Sequence, residues 1–138
     1  RKTGSEWELG TIIRATGPEK DKLAILGGRI QHNETITDAI KRHLTESLEV
    51  DRFALLPSND INRPFYIQQY FHQSSLPPPD GFDPTKHAIA LTYLIEISDV
   101  LSVQGEASDF RWINQTSIPK NFGYNQQVVI EAAFSFLK

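Results

Sequence analysis

The sequence has no cysteine and no methionine in 138 residues, and no apolar run long enough to cross a membrane. Without cysteine, the chain can form neither a disulfide nor a thiolate metal site. The absence of disulfides favours a reducing compartment, and we expect a cytoplasmic protein. The N-terminus also lacks the charged, apolar and small-residue succession of a signal peptide. The composition therefore predicts no membrane partner.

Basic residues are also scarce, with 14 Lys and Arg against 17 Asp and Glu and a net charge of −3. Broad, sequence-independent nucleic-acid binding needs many phosphate contacts from clustered Lys and Arg. No such cluster occurs, so we expect no nucleic-acid partner. A small phosphorylated molecule stays open as a ligand, because it needs only one or two arginines and a metal.

The length predicts a single domain over residues 1–138, long enough to bury a core without covalent staples. Residues 1–8 are polar, and we expect them to be frayed. A chain that begins at Arg1 and contains no methionine is also expected to be part of a longer protein.

The stretch 27–50, GGRIQHNETITDAIKRHLTESLEV, has the pattern of a loop, a helix and a second loop. Thr35 is placed to cap the helix, with Asp38 at the reciprocal position of a capping box. Arg42 and Glu46 are four residues apart and so neighbours on the helix surface. Alone they would indicate only a surface ion pair, but the preceding glycine pair favours a functional site. Apolar residues recur at helical spacing and predict the buried side: Ile36, Ala39, Ile40, Leu44 and Leu48.

The remaining pattern predicts strands and one further helix. We expect strands at 11–15, 23–26, 65–72, 87–97 and 108–113, and a C-terminal helix at 125–137. The apolar stretch 87–97 predicts a central strand covered on both faces. Residues 74–86 are rich in proline and are predicted not to pair in a sheet, forming either a lid or an inert loop. This order predicts a mixed α/β sandwich. The core side of the last helix is predicted to hold Val128, Val129, Ala132, Ala133, Phe136 and Leu137.

The stretch 27–50 resembles a degenerate Nudix box. It departs from the signature at three positions, where His43 and Ser47 replace glutamates and Glu49 replaces the closing glycine. The resemblance implies a Nudix-type α/β/α sandwich with a mixed β-sheet. The positions that match the signature in register are Gly28, Glu34, Arg42, Leu44, Glu46 and Val50.

Within that superfamily the chain is similar to GDP-mannose mannosyl hydrolases, through GGRIQ at 27–31, His87 at the start of a strand, and DFRW at 109–112. The resemblance implies metal-assisted hydrolysis of a nucleoside diphosphate derivative, most simply a nucleoside diphosphate sugar. It leaves the oligomeric state open, with a homodimer as one expectation.

The same resemblance implies roles for individual residues. The Gly27 carbonyl, Glu46 and Glu106 would hold one Mg²⁺ or Mn²⁺ weakly, because hard cations prefer oxygen ligands. Arg29 would contact the diphosphate, Arg42 would orient the acidic groups, and His87 would lie near the leaving diphosphate. The general base of those enzymes aligns with Ala107, which cannot accept a proton.

The strand at 65–72 is expected to form one wall of the site, which makes Tyr70 and His72 candidate substrate contacts. A general base must lie within hydrogen-bond reach of the attacking water, and His72 or His87 could serve. The alternative is that both are strand-end histidines satisfied by solvent.

Two functions stay open beside each other. The chain is either a Nudix-type hydrolase or a catalytically inactive Nudix domain that binds a nucleotide or nucleotide sugar as a sensor or scaffold. The loss of two box glutamates and of the aligned base favours the second. Some function in the pocket is favoured by the residues that are retained: Gly27, Arg29, Glu34, Arg42, Glu46 and His87. A domain used only for protein contacts through residues 74–86 is a third alternative without direct support.

Overall fold

The computed structural model describes residues 1–50, 52–56, 60–72, 81–97 and 99–138. Within these ranges the chain forms mixed strands and helices, in agreement with the predicted α/β class. None of the helices in the described part of the chain is long and apolar enough to cross a membrane. The elements in order are β1 Lys2–Thr3, β2 Glu6–Arg14, β3 Leu23–Ala24, α1 Ile36–Leu48, β4 Phe53–Leu56, β5 Tyr66–Phe71, β6 Gly81–Phe82, β7 Ala88–Thr92, β8 Leu94–Ile97, β9 Ala107–Asn114 and α2 Gln127–Phe136.

Strand β2 is the centre of the largest sheet. It pairs antiparallel with β1, β3 and β9, and its register with β9 runs from Glu8 opposite Asn114 to Arg14 opposite Ala107. The register shifts between Ile13 and Arg14, where the pairing skips Ser108 of β9, as it does at a β-bulge. The expected fraying of residues 1–8 is wrong, because they contain β1 and the start of β2.

Two smaller sets of strands complete the sheets: β4 pairs with β8, and β5 lies between β6 and β7. The predicted strand at 87–97 is therefore two strands in different sheets, interrupted at Tyr93, whose hydroxyl donates to the Ile61 carbonyl at 2.9 Å. It is also not covered on both faces, since Ile89 is 67% exposed and Leu91 is 44% exposed.

The prolines of residues 74–86 do not keep that whole stretch out of a sheet. Gly81 pairs parallel with Tyr70, which corrects the prediction. A Cβ atom at position 81 would lie 2.5 Å from the Tyr70 ring, so glycine is what allows the strands to approach. Residues 73–80, which hold most of the predicted lid, lie outside the described residues.

Helices α1 and α2 cover opposite faces of the sheet built on β2. Consecutive strand residues point to opposite faces, and Leu23 and Ala24 accordingly belong to two different core clusters. One cluster contains Leu44 and Leu48 of α1, and the other contains Phe134 of α2. This arrangement is the predicted sandwich, with its two helices on either side of the strands.

The C-terminal helix differs from its prediction in which side is buried. Helix α2 buries Val129, Ile130, Ala133 and Phe134, whereas Phe136 is 50% exposed and packs edge-on against Phe65. The 3-10 turn at Gly123–Asn125 precedes the helix and delays its start to Gln127.

Candidate functional site

The loop before α1 is fastened to the helix by Arg42. Its Nε and Nη2 atoms donate to the two carboxylate oxygens of Glu34 at 2.7 and 2.9 Å. Nη2 also donates to the Arg29 carbonyl at 2.9 Å, and the Gln31 amide donates to Glu34 at 2.8 Å. Paired bonds of this kind between a guanidinium and a carboxylate are strong and directional. Arg42 and Glu34 therefore fix the shape of the loop.

This pairing changes the acidity of both groups. The hydrogen bonds from Arg42 lower the pKa of Glu34 from 4.5 to about 2, and the Gln31 amide adds to the effect. The bond to Glu34 raises the pKa of Arg42 above its usual range. Glu34 therefore stays ionised at neutral pH. The role proposed for Arg42, orienting acidic groups, stays a prediction.

Helix α1 presents a second carboxylate, Glu46, one turn after Arg42. Arg42 Nη1 lies 3.3 Å from Glu46 Oε2, and the Glu46 side chain is 57% exposed. A carboxylate held by one bond at the surface keeps lone pairs for another partner. Glu46 is thus open to a ligand, as its assignment as a metal ligand requires.

The two box positions that lost a glutamate have packing contacts in this fold. His43 Nε2 donates to the Arg29 carbonyl at 3.2 Å, and the His43 ring fills the space that a side chain at Gly28 would occupy. Ser47 is 4% exposed, and its carbonyl accepts a hydrogen bond from the Gln104 amide at 2.9 Å. His43 supports the loop from one side, and Ser47 docks the segment that leads to β9.

The segment before β9 brings Glu106 to the same place. Gly105 has a φ of +61°, and a Cβ atom there would lie 3.3 Å from the Glu46 carbonyl oxygen. Glycine at position 105 therefore permits both the left-handed backbone and the close approach to α1. The Gly27 amide then donates to Glu106 Oε1 at 3.4 Å. The three residues predicted to bind a metal thus lie around one point of the fold.

Glu106 is less exposed than Glu46, and this burial affects its pKa. Burial raises the pKa of Glu106, the Gly27 hydrogen bond and the charge of Arg14 oppose the rise, and the negative charge of Glu46 adds to it. Gly105 lies against the Glu46 carbonyl, so the backbones of Glu46 and Glu106 are close to each other. A cation between them would relieve their repulsion.

The donor set fits one hard cation better than several. No group of three or more His, Cys, Asp or Glu side chains in the described part of the chain could hold a metal ion. Two carboxylates and the Gly27 carbonyl remain, and Mg²⁺ usually completes such a set with waters and substrate phosphates. A single ion that depends on substrate oxygens therefore fits the residues present.

The other predicted contacts lie on β5 and at the start of β7. His87 stacks on Phe71 with ring centroids 4.9 Å apart, and the Gln69 amide donates to His87 Nε2 at 2.7 Å. His72 is exposed just after β5. Between described residues, no hydrogen bond or ion pair joins either histidine to Glu46 or Glu106. Their roles in substrate binding or proton transfer stay predictions.

Tyr70 lies in the buried core and not on an exposed wall of the site. It is 9% exposed, its hydroxyl accepts a hydrogen bond from Gln126 Nε2 at 3.1 Å, and its ring packs edge-on against Tyr124. Burial raises the pKa of the Tyr70 hydroxyl. On the opposite face of β5, Ile67 is 60% exposed. The solvent-exposed face of β5 is therefore the one opposite Tyr70. The contact of Tyr70 with substrate stays a prediction.

The sequence did not point to Arg14, which the fold places beside Glu106 with Nη1 3.9 Å from Glu106 Oε2. The two residues are far apart in the chain, and β2 and β9 bring them together by pairing. No local motif marks Arg14, so only knowledge of this pairing could have found it.

A surface cavity of about 400 Å³ lies elsewhere, between the N-terminal strands and α2. Its lining includes Lys2, Trp7, Thr116 and Phe134, and it shares no residue with the loop, α1 face and Glu106 described above. Volume alone does not make a site, whereas convergent charged groups with perturbed pKa values indicate one. We therefore place the candidate site at the loop and α1.

Comparison with known proteins gave a family and a fold. Residues 1–137 match the family described as Domain of unknown function (DUF4916). The comparison with curated proteins found no significant match. Among solved structures, a possible asymmetric diadenosine tetraphosphate hydrolase from Jonesia denitrificans DSM 20603 is similar with a TM-score of 0.76 and 24% identity. That match covers 94% of this chain and 82% of the other.

Two further structures carry the same fold. A NUDIX family hydrolase from Clostridium perfringens has a TM-score of 0.62 and 18% identity, with 95% of this chain and 90% of that chain covered. The NUDIX domain of Shewanella oneidensis NrtR, solved with ADP ribose, has a TM-score of 0.60 and 17% identity, with 99% and 81% covered. The chain therefore belongs to the DUF4916 family and has the Nudix fold.

Proposed function

We propose that this chain hydrolyses a nucleoside diphosphate derivative, with one divalent ion bound at the loop and α1. The observation that carries the proposal is the meeting of Glu106 with the Gly27 amide beside Glu46. This contact joins two of the three residues that would hold the cation. The names of the structural neighbours point to the same ligand class, since one is described as a diadenosine tetraphosphate hydrolase and another contains ADP ribose.

In this proposal each residue has a limited task. The Gly27 carbonyl, Glu46 and Glu106 hold Mg²⁺ or Mn²⁺ weakly, and Arg29 contacts the diphosphate from the loop that Arg42 fixes. Such an ion neutralises negative charge on phosphate oxygens and orients the leaving group. Weak binding is expected, because only two carboxylates contribute.

A nucleoside diphosphate sugar is the substrate that we propose first, on the resemblance to GDP-mannose mannosyl hydrolases. The residue aligned with the general base of those enzymes is Ala107, which is 4% exposed and part of the core. The chain therefore needs another base, and His87 and His72 are the candidates from sequence. Hydrolysis in ¹⁸O-labelled water identifies the bond that is cleaved. The label enters the sugar if water attacks carbon, and it enters the phosphate if water attacks phosphorus.

A binding protein without turnover is the second candidate. It is favoured by the contacts of His43 and Ser47, which occupy two glutamate positions of the box with packing roles. If the lost glutamates are essential for turnover, the pocket would retain a nucleotide or nucleotide sugar without consuming it. Metal dependence separates the two candidates.

The test is a thermal-shift panel of nucleoside diphosphate sugars, ADP-ribose and dinucleoside polyphosphates, with and without Mg²⁺, followed by product analysis. Glu46→Gln and Glu106→Gln remove the acidic ligands, and Glu131→Gln on the exposed side of α2 is the matched control. We expect a ligand that is consumed only with Mg²⁺, at least about tenfold more slowly by the two site variants and normally by the control. Stabilisation without consumption supports the binding protein, and turnover unchanged in both site variants refutes the assignment.

A further inference from the structure

Arg42 has no pair of free donors for a phosphate. Its Nε and Nη2 atoms bond Glu34, Nη2 also bonds the Arg29 carbonyl, and Nη1 faces Glu46. A guanidinium has five N–H donors, and four of them are used here, which leaves a single donor on Nη1. A bound diphosphate therefore needs its cationic contacts from other residues of the site.

Arg14 is held on two sides at the end of β2. Its Nε donates to the Pro18 carbonyl at 3.2 Å, and its guanidinium carbon lies 5.0 Å from the centre of the Tyr124 ring. Its side chain is only 15% exposed. Stacking on an aromatic ring and a bond through Nε fix the plane of the guanidinium.

The Tyr124 ring beneath Arg14 is itself fixed. Its hydroxyl donates to the same Pro18 carbonyl at 3.3 Å, and its ring packs edge-on against Tyr70 with centroids 6.2 Å apart. Tyr124 also has a φ of 56°, the left-handed region that a residue with a side chain rarely adopts. Such strain often accompanies functional positions, where the surrounding fold maintains it. The Tyr124 ring on which Arg14 stacks is therefore held in place by its own contacts.

The outer edge of Arg14 faces the candidate site. Nη1 is 3.9 Å from Glu106 Oε2, which is beyond hydrogen-bond distance. Among the described residues, no hydrogen bond uses either Nη atom of Arg14. A guanidinium with a fixed plane and open Nη groups matches the oxygens of a phosphate in a bidentate way.

We infer that Arg14 binds a phosphate group of the ligand, beside Glu106. This inference rests on the proposed function and adds a residue to it. The phosphate would lie against the Nη groups of Arg14 and next to the carboxylates of Glu46 and Glu106, where a divalent ion would offset their negative charge. The ligand class is a nucleoside diphosphate derivative, and the recognised part is its diphosphate.

The test is calorimetric binding of inorganic pyrophosphate and of ADP-ribose, both with Mg²⁺. Arg14→Gln removes the charge and the paired donors, and Arg14→Lys keeps only the charge. Arg63→Gln is the control, because Arg63 is 83% exposed and pairs only with Asp60 among described residues. We expect affinity to fall about tenfold to hundredfold in Arg14→Gln, less in Arg14→Lys, and not in the control. Unchanged affinity in folded Arg14→Gln refutes the inference.

A second measurement avoids the risk that the Arg14→Gln variant, altered at a largely buried side chain, fails to fold. The arginine Nε–Hε signals of the unaltered protein are recorded by NMR during a pyrophosphate titration, with the Arg14 signal assigned by its absence from Arg14→Lys. A saturable shift of that signal supports the inference, and saturation of the protein without any shift refutes it. If neither pyrophosphate nor any nucleotide binds the unaltered protein, the proposed function fails and this inference falls with it.

Discussion

Glu34 shows how a single side chain couples the candidate site to the stability of the fold. Its carboxylate accepts two bonds from Arg42 and one from the Gln31 amide, and together they fix the loop that carries Gly27 and Arg29. These bonds exist only while Glu34 is ionised. The pKa of about 2 in the folded chain, against an ordinary 4.5, therefore links the loop to pH.

We predict that Glu34→Gln weakens the acid dependence of stability. A lowered pKa stabilises the fold above pH 4.5, and this contribution is lost as the pH falls from 4.5 to about 2. Urea unfolding at several pH values measures the slope, with Glu131→Gln as an exposed control. The slope should be smaller in Glu34→Gln than in the unaltered protein and the control. Parallel curves for all three proteins would contradict the role of Glu34.

Glu106 has the opposite behaviour, because its charge is partly buried beside another carboxylate. We predict that Glu106→Gln raises the melting temperature at neutral pH without metal, since it removes the charge that burial disfavours and keeps an acceptor for the Gly27 amide. Added Mg²⁺ and nucleotide should stabilise the unaltered protein but not this variant. A lower melting temperature without metal would show that Glu106 is needed for folding and not only for binding.

At the scale of elements, helix α1 is determined by its two ends. Thr35 caps the first turn by accepting a hydrogen bond from the Asp38 amide at 3.1 Å. At the other end, Glu49 has a left-handed backbone, and its amide and that of Val50 bond back to the carbonyls of Thr45 and Leu44. This is the position of glycine in a Nudix box, and the observed φ of 51° explains why glycine suits it.

We predict that Glu49→Gly stabilises the chain by about 0.5 to 1 kcal/mol. Relief of the left-handed strain is worth ~1 to 2 kcal/mol, and the greater freedom of glycine in the unfolded chain offsets ~0.5 to 1 kcal/mol of it. Glu49→Ala is the control, because it keeps the strain and removes only the charge. Urea unfolding measures both variants. Equal stability of the glycine and alanine variants would mean that the strain is absent.

Local pattern predicted α1 well and the apolar strands less well. The capping residues and helical spacing gave the buried Ala39, Leu44 and Leu48 correctly, because these signals are contained within one helix. The apolar run at 87–97 contains no local mark of the break at Tyr93, where the side chain bonds to the distant Ile61 carbonyl. In α2 the buried face also differs from the prediction, and the turn before the helix includes two residues with a left-handed backbone.

At the scale of the whole molecule, the candidate site depends on pairings between distant parts of the chain. Strands β2 and β9 bring Arg14 next to Glu106, and the segment before β9 docks on α1 through Ser47. Spacing within one motif could predict Glu46, and the family resemblance could suggest Gly27 and Glu106. Arg14 could not be predicted from the sequence, because no residues near it in the chain resemble a binding motif.

The central claim is that Gly27, Glu46 and Glu106 hold a divalent ion against the phosphates of a nucleotide derivative. A crystal structure with Mn²⁺ and ADP-ribose tests it most directly, because the anomalous signal of manganese locates the ion independently of the ligand. We predict one anomalous peak, within coordination distance of Glu46, Glu106 and a phosphate oxygen. Bound ADP-ribose with no peak there, or with manganese held by other residues, would contradict the claim.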